Sequence, residues 1–138
     1  MLEKLFDLLG GEFIKALLNR RHIRVLVHRA FFDNDQEEYF FINVTNLSQK
    51  RDIEITHIWF NSNPKVHVIR DDRKLPKRLR PDETWETWIA VNQLPLSYHA
   101  YGFTMVRVRL STGSVAYSKR NTTLPERGEV PGGPVNRG

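Results

Sequence analysis

Five histidines and no cysteine limit the chemistry this 138-residue chain can assemble. Without cysteine there are no disulfides, no thiolate metal sites and no thiol nucleophile. His22, His28, His57, His67 and His99 are spread along the sequence, whereas zinc gathers three or four ligands at tight spacing. Only His57 and His67 fall on segments that read as consecutive strands, where two imidazoles can become neighbours. Two ligands are too few, and no metal centre is expected. The acidic run Asp33-x-Asp35-x-Glu37 has the opening of a calcium loop, but that loop needs Gly sixth and Glu twelfth. Those positions hold Glu38 and Val44. The serine-hydrolase elbow, the zinc-protease helix and the glycine-rich phosphate and dinucleotide loops have no counterpart here. The expectation is a non-catalytic protein without a cofactor. An active site built from His57, His67 and nearby carboxylates is the weakest alternative.

The densest charge is Arg70-Asp-Asp-Arg-Lys-Leu-Pro-Lys-Arg-Leu-Arg80, in which six of eleven residues are cationic and two are aspartates. In a chain of net charge +5, Arg70, Arg73, Lys74, Lys77, Arg78 and Arg80 are candidates for contacting nucleic-acid phosphates or an anionic membrane surface. Arg107, Arg109, Lys119 and Arg120 are able to extend that patch. Base stacking also needs exposed aromatic rings, and Trp85 and Trp88 are the nearest. Three positions apart on a strand, they point to opposite faces, so one is expected in the core and the other outside. The plainer expectation is that Asp71 and Asp72 pair with neighbouring cations and the loop is simply solvated.

These side chains need elements to position them. Residues 1–21 carry a helical pattern, with Leu2, Leu5, Phe6, Leu9, Phe13, Ala16 and Leu17 in one stripe. Gly10-Gly11 interrupts it, and Leu8, Ile14 and Leu18 spill onto the back. That apolar surplus suggests a helix buried against a partner, with Leu5, Phe6, Leu9, Phe13 and Leu17 as the contact residues. Basic residues Arg20, Arg21 and Arg24 follow it, which leaves peripheral membrane contact as a further option. No apolar window approaches the roughly 20 residues of a spanning helix and no leader is readable, so a cytoplasmic location is expected. The triplets opening at Asn43, Asn46 and Asn121 then read as chance glycosylation matches.

From His22 to Asn121 the pattern changes to alternation. Ile23, Val25, Val27 and Phe31 mark a first strand, and Tyr39 to Asn46 a second with Phe40, Ile42 and Val44 on one face. Asp52 to Phe60 is a third, carrying Ile53, Ile55 and Trp59, and Val66 to Ile69 a short fourth. Trp85 to Val91 alternates again. Phe103 to Leu110 and Val115 to Lys119 flank Ser111-Thr-Gly-Ser114 as a hairpin. Such short strands with polar turns and no helical pattern between them predict an all-β sandwich or barrel. After Asn121, Pro and Gly dominate and little can be buried, so residues 122–138 are expected to form a flexible tail.

Tyr39-Phe-Phe-Ile-Asn-Val-Thr-Asn-Leu-Ser48, running into Asp52-Ile-Glu-Ile-Thr56, resembles the B-to-C region of bacterial immunoglobulin-like sandwich domains. Leu79-Arg-Pro-Asp-Glu-Thr-Trp85 is similar to the loop entering their E strand. The resemblance spans roughly residues 22–121. It implies an antiparallel immunoglobulin-like sandwich of about seven strands, with Trp59 as the buried core tryptophan, and no particular activity. The expected role is a binding or scaffold module. It would engage another protein, or a second copy of itself, through the N-terminal helix or a sheet edge.

Overall fold

The computed structural model describes residues 22–33 and 36–123. Among these residues eight strands form: β1 Ile23–Phe31, β2 Glu38–Asn46, β3 Ile53–Phe60, β4 Val66–His67, β5 Lys77–Leu79, β6 Thr84–Ala90, β7 Val106–Leu110 and β8 Val115–Arg120. β5 is the one the sequence did not suggest, being three residues set between prolines 76 and 81. Neighbours run in the order β4-β3-β7-β8-β1-β2-β6, with β5 on the same side of β3 as β4. The expected N-terminal helix lies outside the described residues, as does the tail beyond Thr123.

Two separate antiparallel sheets do not form. The strands make one curled, mixed sheet, and β8 is the reason. Its first half pairs antiparallel with β7 at Arg107↔Tyr117 and Arg109↔Val115. Its second half pairs parallel with β1 at Val25↔Ser118 and Val27↔Arg120. Ser118 seals this crossing, since its hydroxyl donates to the Phe103 carbonyl at 2.8 Å and accepts from the Val106 N–H at 3.0 Å.

Curling closes one core between the two arms. Val25, Val27, Phe40, Ile42 and Val44 from one arm meet Ile55, Ile58, Phe60, Val106 and Val108 from the other, all essentially buried. The Phe40 and Phe60 rings touch across the gap at 5.6 Å. Each such side chain contributes about 1.5–3 kcal/mol by leaving water. The alternation expected for β1 appears as burial from Ile23 to Val27, whereas in β2 Phe41, Thr45 and Asn46 are buried as well as the expected Phe40, Ile42 and Val44.

β3 does not keep its alternation. The pairing with β7 shifts register between Ile55 and His57, a bulge that reverses which face the following residues present. Ile58 and Phe60 take the core positions, and Trp59 turns to the outer face, half-buried. The expectation of Trp59 in the core is thereby overturned. The strand predicted from Phe103 begins only at Val106, because Gly102–Thr104 form a 3-10 turn. The chain closes around Gly113, whose φ of 90° suits glycine in the hairpin turn.

Candidate functional site

The cationic segment does not gather into one patch. It leaves β4, turns back through an Arg70↔Arg73 bridge and returns along β3 as β5. Arg70 grips Asp72 with two nitrogens at 2.8 and 3.1 Å, and this bond is the main cause of the lowered Asp72 pKa. Arg73 Nε donates to the Glu86 carbonyl at 3.1 Å, fastening the segment to β6. Arg78 pairs with Asp52 at 3.1 Å on the exposed side of β5. Lys74 and Arg80 are exposed, and Lys77 is half-buried on β5 beside Arg78. Of the six candidates, only Arg70 and Arg73 meet an aromatic ring among the described residues.

That ring is Trp88. The two guanidinium carbons lie 4.6 and 4.7 Å from its centroid. As expected, Trp85 and Trp88 divide between faces, with Trp85 packed against the core. Trp88 is half-buried rather than fully exposed, because other side chains cover it. On the outer face of β1, β2 and β6, Phe41 stacks on His28 at 5.2 Å and meets Phe32 at 5.2 Å and Trp88 at 6.0 Å. Phe41 is only 7% exposed although it lies on the face of β2 turned away from Phe40, Ile42 and Val44. The sequence carried part of the signal for this cluster, since Tyr39 and Phe41 share one strand face, but only the β2–β6 register sets Trp88 opposite Phe41.

Burial in this cluster lowers the His28 pKa, with Glu86 opposing more weakly. The His28 Nδ1 is buried without a hydrogen-bond partner among the described residues, so charging the ring is doubly disfavoured. Below the ordinary imidazole value of 6.5, the unfolded chain takes up this proton while the folded protein resists it. Stability is therefore expected to fall as pH drops below 6.5, levelling once the folded imidazole also protonates. Melting temperatures between pH 7.5 and 5 check this, and His28→Phe is expected to flatten the profile.

His57 and His67 do become neighbours, with ring centroids 6.3 Å apart. They line a groove of about 190 Å³ together with Thr56, Arg70 and Arg73. His57 Nδ1 lies 3.0 Å from the Thr56 hydroxyl. Among the described residues no three His, Asp or Glu side chains are grouped to hold a metal ion. A larger cleft of about 650 Å³ lies between the β2–β3 turn and the Ser111–Thr112 turn, next to His22. Its lining mixes Lys50, Arg51 and Arg78 with Asp52 and Glu54, so it presents no single sign of charge.

Arg107 and Arg109 stand apart from the 70–80 segment. They lie on the outer face of β7, paired across to Trp59 and His57 on β3 and to Tyr117 and Val115 on β8. The Arg107 guanidinium lies 4.1 Å from the Tyr117 centroid. It is anchored by donating to the Thr104 and Val106 carbonyls at 2.9 and 3.0 Å. Partial burial lowers its pKa, yet a guanidinium keeps its charge. Lys65 stands over Trp59 at 5.8 Å, and His67 packs beside the same ring at 6.1 Å. Sequence reasoning grouped Arg107 and Arg109 with the wrong tryptophans, since the bulge that turns Trp59 outward is not visible in the residue pattern.

The residues expected to contact a partner through the N-terminal stripe, Leu5, Phe6, Leu9, Phe13 and Leu17, lie outside the described residues. Among the described residues no helix is long and apolar enough to cross a membrane. Comparison of the chain with known protein families, curated proteins and solved structures finds no match.

Proposed function

We propose that the chain is a non-catalytic binding module that takes a partner polypeptide by strand addition along β6. Among the described residues β6 pairs with β2 on one side and with no strand on the other. This open edge is the observation that carries the reading, because an unpaired row of N–H and C=O groups is a template for another strand. Asn46 N–H donates to the Glu83 carbonyl, so alternation turns the backbone groups of Thr84, Glu86 and Trp88 away from β2. Arg73 already donates to the Glu86 carbonyl from that side, where a partner's N–H would replace it.

An immunoglobulin-like assignment belongs to the same proposal. Support comes from the grouping of β1-β2-β6 against β4-β3-β7-β8 and from the parallel pairing of first and last strands. The expected cytoplasmic setting and the option of a second copy as partner are retained with it.

Sedimentation velocity of the full chain over a range of concentrations tests the reading with a second copy as the probe. Self-association is expected, and Thr84→Pro is expected to weaken it at least tenfold. That substitution removes an outward N–H from an edge strand, where proline is tolerated. Leu9→Asp combined with Phe13→Asp separates the N-terminal route from the edge. A chain that remains monomeric at all concentrations removes self-pairing, and unchanged association in Thr84→Pro removes the edge.

A further inference from the structure

We infer that the outer face of β4-β3-β7-β8 binds single-stranded nucleic acid, stacking bases on Trp59 and Tyr117 and holding phosphates with Arg107, Arg109 and Lys119. This surface is separate from the β6 edge and does not depend on it. The bulge in β3 takes Trp59 out of the core and sets it opposite Arg107. On the next strand Arg107 faces Tyr117. Ring, cation and ring thus lie in one cross-strand row, the two rings two strand spacings apart, or about 10 Å.

The row is held in place. Trp59 Nε1 donates to Asn61 Oδ1 at 3.2 Å, which satisfies its polar edge. Arg107 is fixed by two backbone carbonyls. Tyr117 is 45% exposed, far more than a ring that merely seals a sheet.

Charge points the same way. Elsewhere Arg29, Arg70 and Arg78 each pair with a carboxylate. Lys65, Arg107, Arg109 and Lys119 form no ion pair among the described residues, as is also true of Lys74, Lys77 and Arg80. Along the strands of this face the one outward carboxylate is Glu54, at the β5 end. Cations placed side by side without counter-charges repel one another, and an anionic ligand relieves that repulsion. The groove beside His57 and His67 leads away from this face to Arg73, which is bonded to the Glu86 carbonyl, and to Arg70, whose charge is met by Asp72.

A single strand supplies what this surface lacks, namely phosphates at a regular spacing with unpaired base faces between them. A duplex offers phosphates but hides its base faces, and an acidic peptide offers charge with little to stack.

Fluorescence anisotropy of the full chain with a labelled oligothymidylate, the matching duplex and heparin as competitor provides the test. The single strand is expected to bind more tightly than the duplex and to weaken steeply with added salt. Tyr117→Ala, at an exposed site, is expected to lower affinity about tenfold. Arg109→Glu combined with Lys119→Glu is expected to flatten the salt dependence by about one unit of slope for each phosphate that is no longer held. Arg80→Glu, away from the face, is expected to change affinity much less. Circular dichroism of each variant checks that the sheet is retained. Absence of binding at low salt overturns the inference. So does equal affinity for strand and duplex with Tyr117→Ala silent, which would mark a general polyanion surface.

Discussion

Replacing Phe40 with alanine is expected to lower the unfolding free energy by about 3–5 kcal/mol, the range for deleting a buried aromatic ring. Phe40 is wholly buried, touching Phe60 at 5.6 Å and Phe103 at 5.3 Å. It therefore joins β2 to β3 and to the 3-10 turn before β7. The fit against that turn is tight enough to require glycine. A Cβ added at Gly102 would lie 2.5 Å from the end of the Phe40 ring. Gly102→Ala alone is expected to cost about 1–3 kcal/mol through overpacking. In the Phe40→Ala background the same methyl enters vacated space, and its cost is expected to disappear or reverse. Urea denaturation of the two single variants and the double variant measures this coupling. Equal costs of Gly102→Ala in both backgrounds would show that the ring and the turn do not meet.

Asn46→Ala is expected to cost about 2–4 kcal/mol, because it strands several backbone groups at once. The side chain is 0% exposed. Its Nδ2 donates to the Arg51 carbonyl at 2.7 Å and the Leu79 carbonyl at 3.1 Å, and its Oδ1 accepts from the Ser48 N–H at 2.9 Å. One amide thus fixes the β2–β3 turn and ties it to β5. Asn46→Asp keeps the acceptor for Ser48 but sets a carboxylate oxygen against two carbonyl oxygens. Burial beside those dipoles raises the new carboxyl's folded pKa above its unfolded value. At neutral pH this variant is expected to be at least as unstable as Asn46→Ala, and to recover as pH falls and the group protonates. Thermal melts of both variants between pH 7 and 4 distinguish them. A residue buried in this way is also poorly placed to serve as a glycosylation acceptor, in keeping with a chance match at Asn46-Leu-Ser48.

Much of the candidate binding surface was present in the residue types but not in their grouping. Arg107, Arg109 and Lys119 are plainly cationic, yet nearness in sequence linked them to Arg70–Arg80 and to Trp85 and Trp88. Those neighbours proved to have other commitments. Arg70 holds Asp72, Arg73 holds β6, and Arg78 holds Asp52. The aromatic partners of Arg107 came from β3 and β8, one well before it in the chain and one across the hairpin.

What the sequence by itself determined is local. Alternation placed Val25, Val27, Phe40, Ile42 and Val44 on a buried face, and Gly113 marked the turn between β7 and β8. Both follow from a period of two and from backbone sterics, which need only near neighbours. Tertiary structure alone decided that β8 joins the two arms into one sheet and that a bulge turns Trp59 outward. Those outcomes depend on hydrogen-bond register between strands distant in the chain, and a slip of one residue exchanges every side chain between core and solvent.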